Sequence, residues 1–168
     1  MKRGLKKAGG LVPKALQPPA IHYARHRRKN MQFLAQETQT ITHHDCHPGN
    51  LFWHDQKPGL LDWQMVRIGE GISDIAYFLA TSLCPETRRE SEIGLITHYI
   101  KHLTSLGVSE INLEKTIQRY RAHLVYPFEA MLVTLAVGDM MELEANKTLI
   151  ERTAKAVSDN TAFSAIQL

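Results

Sequence analysis

Cysteine is scarce in this chain. Cys46 and Cys84 are the only two among 168 residues, too few for a disulfide scaffold, so the expected setting is reduced and cytoplasmic. Long apolar runs are missing as well, and no stretch approaches the roughly 20 residues of a membrane span. Aromatic residues amount to only 7%, but 43% of the sequence is hydrophobic and 22% charged, which suits one globular core. A chain of this size can bury about 68–70% of its unfolded surface. Seven prolines and ten glycines without a repeat exclude collagen, coiled coil and low-complexity disorder. Acid is absent from residues 1–30, which carry nine Lys and Arg, whereas the remainder holds 11 basic against 17 acidic residues. A basic arm of this kind suits nucleic-acid or anionic-membrane contact, but equally a solvated arm or a helix that packs on something acidic. Nucleic acid is not the expected partner. Gly9, Gly10 and Pro13 interrupt the arm and no apolar region follows, so no signal peptide is expected.

Punctuation divides the rest. The Gly9-Gly10 and Pro18-Pro19 pairs predict an irregular stretch over 1–20, followed by a helix over 21–37. Thr40-Ile41-Thr42 is β-prone. His43 to Asn50, dense in polar groups and containing Pro48-Gly49, reads as a loop. Leu51-Phe52-Trp53 and Leu60-Leu61-Asp62-Trp63 read as two strands of a hairpin around the turn-forming 54–59. Beyond Gly71 the apolar spacing is helical. Ile72, Ile75, Ala76, Leu79 and Leu83 form one face, ended by Pro85. Ile93, Ile96, Ile100, Leu103 and Leu106 form another, stopped by Gly107. Further helices are expected over 112–126, 128–144 and 147–157. The fold class is therefore α+β: a short hairpin of about 51–62 set against at least four helices. Residues 1–38 form a basic arm and linking helix, and 39–168 form the main body.

Chemistry concentrates at His43-His44-Asp45-Cys46-His47-Pro48-Gly49-Asn50 and, twelve residues after Asn50, at Asp62-Trp63. A hairpin brings the loop before its first strand near the end of its second. Two carboxylates and an amide oxygen can then converge. Hard oxygen donors suit Mg²⁺, which takes one or two carboxylates and completes its shell with phosphate and water. The remaining carboxylate is free to orient or deprotonate a hydroxyl, which is the division of labour phosphoryl transfer needs.

The pattern His43-x-Asp45-x-x-x-x-Asn50 followed by Leu61-Asp62-Trp63 resembles the signature of the aminoglycoside phosphotransferase and choline kinase-like superfamily, which shares the protein-kinase fold. Gly71-Ile72-Ser73-Asp74-Ile75-Ala76-Tyr77-Phe78-Leu79 resembles that family's next segment. The resemblance is dense from about 41 to 83. It implies that Asp45 is the catalytic base, that Asn50 and Asp62 hold Mg²⁺ on the phosphates of ATP, that His43 braces the loop and that Asp74 binds backbone at a helix start. The implied acceptor is a hydroxyl of a small molecule. Asp55, beside Lys57-Pro58-Gly59, is read as a turn carboxylate.

Two departures stand out. His44 occupies a position where the family usually has Gly. The resemblance also implies an N-terminal nucleotide lobe with a phosphate-covering loop and a Lys–Glu pair, yet no glycine loop between strands precedes His43 and the first acid is Glu37. The chain is therefore expected to represent the C-terminal catalytic lobe, inactive or weakly active alone, exposing an apolar face for a separate nucleotide lobe or for self-association. A non-catalytic kinase-like binding module is the alternative. His43, His44, Cys46 and His47 also admit a zinc site, but neighbours in one short loop cannot readily surround a tetrahedral ion. His98 and His102 lack the Glu of a metalloprotease helix. Cys46 is read as incidental and Cys84 as a core residue at a helix end. Glu129 and Asp139 lie among apolar residues, so burial and pairing, with Arg119 or Arg121 as candidates, compete with contact to a cationic acceptor. Glu142 and Glu144 read as a solvated face.

Overall fold

The computed structural model describes residues 1–109 and 111–166, so residue 110 and the last two residues of the expected main body lie outside the described part. The architecture is α+β and mainly helical, with two small antiparallel ribbons. Three short helices lead in: α1 (Lys2–Ala8), α2 (Gln17–Arg25) and α3 (Arg27–Phe33). Strands β1 (Gln39–Thr42), β2 (Leu51–His54), β3 (Lys57–Leu60) and β4 (Arg67–Glu70) follow. Five longer helices complete the chain: α4 (Ile72–Ser82), α5 (Pro85–Ser105), α6 (Leu113–His123), α7 (Val125–Val137) and α8 (Leu143–Asp159).

The first 20 residues are not irregular. Leu5, Ala8 and Val12 are buried in the main core, and α1 packs on α7. The contact is close at Gly4, where an added Cβ would lie 2.2 Å from the Leu132 carbonyl oxygen. Lys7 Nζ donates to the carbonyls of Leu135 (3.0 Å) and Ala136 (3.3 Å), placing a cation on the unpaired C-terminal carbonyls of α7. The apolar positions of the arm are few, so periodicity hid them beneath the lysines. The helix expected over 21–37 is two helices broken at His26.

The hairpin is shorter than expected. Its strands pair Leu51 with Leu60 and His54 with Lys57, around Asp55 and Gln56, both at positive φ, as a two-residue primed turn requires. Asp62 therefore lies past the second strand, in left-handed backbone (φ 56°, ψ 65°) ahead of a single 3-10 turn over Trp63–Met65. The β1–β4 ribbon was half legible: β1 was expected, its partner was not.

Pro85 begins α5 rather than merely ending α4, since its missing N–H costs nothing at a first helical position. Pro127 likewise sits in the first turn of α7. The chain breaks at Leu124, three residues before it, because the proline ring and missing N–H cannot continue the ladder to His123. The core lies where α4 meets α6, α7 and α8, around Tyr77, Ile96, Tyr120, Phe128, Leu132 and Ile150. Cys84 is exposed, contrary to expectation. Among the described residues no helix is long and apolar enough to cross a membrane.

Candidate functional site

The 43–50 loop is fastened from α4. The Asp74 carboxylate, in the first turn of that helix, accepts the backbone N–H of His43 (2.7 Å) and of His44 (2.9 Å). The His43 imidazole is fixed by two bonds that demand one tautomer. Its Nε2–H donates to the Leu61 carbonyl at 2.7 Å, and its Nδ1 accepts from the Asp45 N–H at 3.2 Å. One ring thus ties the loop to the far foot of the hairpin. The Leu61 N–H closes that foot on the Asn50 carbonyl at 2.8 Å.

Asp45 emerges half-buried from this frame. Its Oδ1 accepts the Tyr77 hydroxyl at 2.7 Å. Asn50 Nδ2 donates to the Asp45 carbonyl at 2.8 Å and approaches Oδ2 at 3.5 Å. Burial, reinforced by the Asp45 charge, pushes the Tyr77 phenol well above its ordinary range, so it remains a donor. Oδ1 is thereby occupied, while Oδ2 meets only the Asn50 amide, at 3.5 Å. Tyr77 was not singled out from sequence, although it lies three residues after Asp74 and so on the same side of α4.

Asp62 projects from its left-handed residue with Oδ2 accepting from Gln64 Nε2 at 3.2 Å. Among the described residues nothing donates to Asp62 Oδ1 or to Asn50 Oδ1. A carboxylate and an amide oxygen, both free and both lining one cleft with Asp45, fit a hard cation such as Mg²⁺. The zinc set does not assemble. His43 is engaged at both nitrogens, the Cys46 thiol donates to the Asp74 carbonyl at 3.2 Å, and His47 Nδ1 accepts from the Gly49 N–H. Among the described residues no group of three His, Cys, Asp or Glu side chains gathers as a metal site.

His44 is buried at φ 69°, where an L residue is strained. Its ring stacks on Tyr126 (3.9 Å between centroids, 27° between planes), and its Nε2 has no partner. Burial, with the Arg67 charge close by, holds its imidazole down at about 3, so it stays neutral in ordinary buffers.

The cleft has a volume of about 650 Å³. Asp45, Asn50, Asp62 and Gln64 form one side, while Tyr126 and side chains of α7 and its C-terminal turn form the other. Glu129 on α7 does not pair with Arg119 or Arg121. Arg27 Nε donates to both of its oxygens, at 3.1 and 3.3 Å. Arg119 instead forms a two-point pair with Glu70, which also accepts from His123 Nε2 at 3.0 Å and from the Glu37 N–H. Burial alone would raise the Glu70 carboxyl, but His123 and Arg119 outweigh it and hold it at about 2. This cluster lies behind the β1–β4 ribbon and is structural. Glu142 caps α8 by accepting the N–H groups of Glu144 and Ala145.

A family model described as phosphotransferase enzyme family matches residues 4–107. The matched stretch takes in the lead-in helices, both ribbons, the 43–50 loop, α4 and α5. No curated protein and no solved structure matches the chain. Running over well more than half of the 168 residues, the family match shows that this chain belongs to the phosphotransferase enzyme family.

Proposed function

We propose that this chain is the catalytic lobe of a small-molecule kinase, which moves the γ-phosphoryl group of ATP to a hydroxyl of an organic acceptor. The observation that carries the reading is the Asp45 carboxylate, held at Oδ1 by Tyr77 and beside Asn50, in a cleft that also receives the free oxygens of Asn50 and Asp62. Asp45 Oδ2 accepts the acceptor's hydroxyl proton as the new O–P bond forms and the bond to ADP breaks. His43 and Asp74 hold the loop so that this oxygen does not wander, which is where much of the rate advantage of positioning originates. Asn50 and Asp62 would hold Mg²⁺, which when bound neutralises charge on the transferred phosphoryl group.

A separate nucleotide lobe belongs to this reading. The described residues offer the nucleotide an oxygen-lined cleft, whereas kinase folds also grip adenine and the phosphates from a second lobe. Exposed apolar side chains on both ribbons, Ile41 and Ile68 on one and Phe52 and Trp53 on the other, each at least 40% exposed, support a covering lobe or a second copy. The same side chains support the alternative of a binding module without catalysis.

Titration calorimetry with Mg²⁺-ATP and a labelled-phosphate transfer assay test the proposal, with the chain alone and together with a nucleotide lobe. Alone, it is expected to bind weakly and turn over negligibly. With the lobe, Asp45→Ala should lower turnover by about 10²–10⁴-fold, as loss of a general base does, and Asp62→Ala should abolish Mg²⁺-dependent nucleotide binding without unfolding the protein. Unchanged turnover in Asp45→Ala removes the base assignment. Strong turnover by the chain alone removes the need for a second lobe.

A further inference from the structure

The acceptor side of the cleft differs in chemistry from its oxygen-rich side. Its one acidic residue, Glu129, is nearly buried, and both of its oxygens are taken by Arg27. Glu142 is spent on the α8 cap, Glu144 pairs with Lys147, and Asp139 does not line the cleft. Besides Thr134 and Arg27, which Glu129 engages, what remains is apolar and polarisable. Met131, Met140 and Met141 line this side with Ala130 and Val133. Methionine side chains bend to fit irregular apolar bodies and make favourable contacts with rings.

Tyr126 completes the wall and is unusually well fixed. His44 stacks beneath it, the Arg67 guanidinium carbon lies 5.5 Å from its centroid, and Tyr77 lies 5.9 Å away at a tilt. The residue that stands where the family usually has Gly therefore has a physical counterpart in the cleft. A glycine at 44 would leave Tyr126 without its stacking partner. A rigid ring beside three flexible thioethers is a surface for a neutral ring system, with no unpaired carboxylate on this wall to hold an ammonium group away from Asp45 and Asp62.

We infer that the acceptor is a neutral alcohol with an apolar, ring-bearing body, seated between Tyr126 and the methionines with its hydroxyl at Asp45, rather than a polycation. The inference rests on the phosphotransferase reading for the direction of the hydroxyl, but the wall can be tested without turnover.

Methyl-labelled methionine NMR of the full chain reads it directly, because Met131, Met140 and Met141 line the wall, Met65 lines the cleft beside Gln64, and Met1 and Met31 lie outside it. Titration with naphthylethanol should move the three wall signals saturably and leave Met1 and Met31 in place, whereas choline and kanamycin should move none of the wall signals at the same concentrations. Met140 is 64% exposed, so Met140→Glu should fold normally and weaken naphthylethanol about tenfold, the order expected for desolvating an unpaired carboxylate. Arg27→Gln frees Glu129 and should create choline binding where there was none. Probe binding is read here without turnover, which separates this test from the assignment of the base. Choline or kanamycin acting on the wild-type cleft at lower concentration than naphthylethanol overturns the inference. So does a parallel, unsaturable drift of all six methionine signals.

Discussion

His44 joins two opposed properties, a left-handed backbone and a fully packed ring. The backbone conformation costs roughly 1–2 kcal/mol for an L residue, offset here by the stack on Tyr126. Holding the imidazole neutral down to about 3, against an ordinary 6.5, has a sign that can be worked out. Between those two values the unfolded chain binds a proton that the folded chain refuses, so stability falls as pH drops below 6.5. The slope is up to about 1.4 kcal/mol per pH unit for one such group. His44 is faced by Arg67, His123 and Arg27, all of which oppose its protonation. Buried His123 is also held below its ordinary value and adds to the same window. Glu70, held at about 2 instead of 4.5, acts in the same direction only below 4.5. His44→Phe keeps the stack and removes one proton, so urea midpoints of the variant should decline less steeply than wild type between pH 6.5 and 4.5. Parallel profiles would mean that His44 titrates normally.

At the level of elements, the strongest contrast between sequence and structure lies in α1. Lys2 and Lys6 are exposed as their number suggests, yet Leu5, Ala8 and the bare Gly4, with Lys7 on the α7 carbonyls, bind it to α7. Gly4→Ala is a discriminating variant. Alanine is the better helix former by about 1 kcal/mol, so an independent arm would gain from the change. In this packing the methyl group would meet the Leu132 carbonyl at 2.2 Å, and overpacking of this kind costs typically 1–3 kcal/mol. Equilibrium unfolding should therefore show a net loss of stability, and a gain would detach α1 from the core. The 43–50 loop, the first hairpin strand and the long helices were legible because turn residues and a 3.6-residue period act locally. Tyr77 against Asp45, Arg27 against Glu129 and the Glu70–Arg119–His123 cluster were not, because each joins residues 32 to 102 positions apart. Arg119 and Arg121 were the expected partners for Glu129, and Arg27 was not among them. Only the placement of α3 beside Glu129 brings Arg27 to it.

Across the whole molecule, helices close the core on one side while the ribbons stand open on the other. Ile41 and Ile68 face each other across β1 and β4, at 67% and 64% exposure. Such an exposed apolar strip favours association. Ile41→Lys with Ile68→Lys should leave the circular dichroism spectrum and unfolding midpoint nearly unchanged, since neither side chain supports the core. Sedimentation should show less concentration-dependent association than wild type. If both proteins sediment as the same monomer at every concentration, the strip does not drive self-association, and a foreign covering lobe is the remaining reading.

The two thiols sit in contrasting surroundings. Cys84 is exposed, and its bonding to Thr87 lowers its pKa, favouring the thiolate. Cys46, in the 43–50 loop, is buried against α4, with burial as the main cause of its raised pKa, which suppresses the reactive form. A maleimide dye added to the folded protein should therefore attach once, at the corner between α4 and α5. The second attachment has to wait until Cys46 leaves the Asp74 carbonyl, so its rate is a clock for the opening of the 43–50 loop.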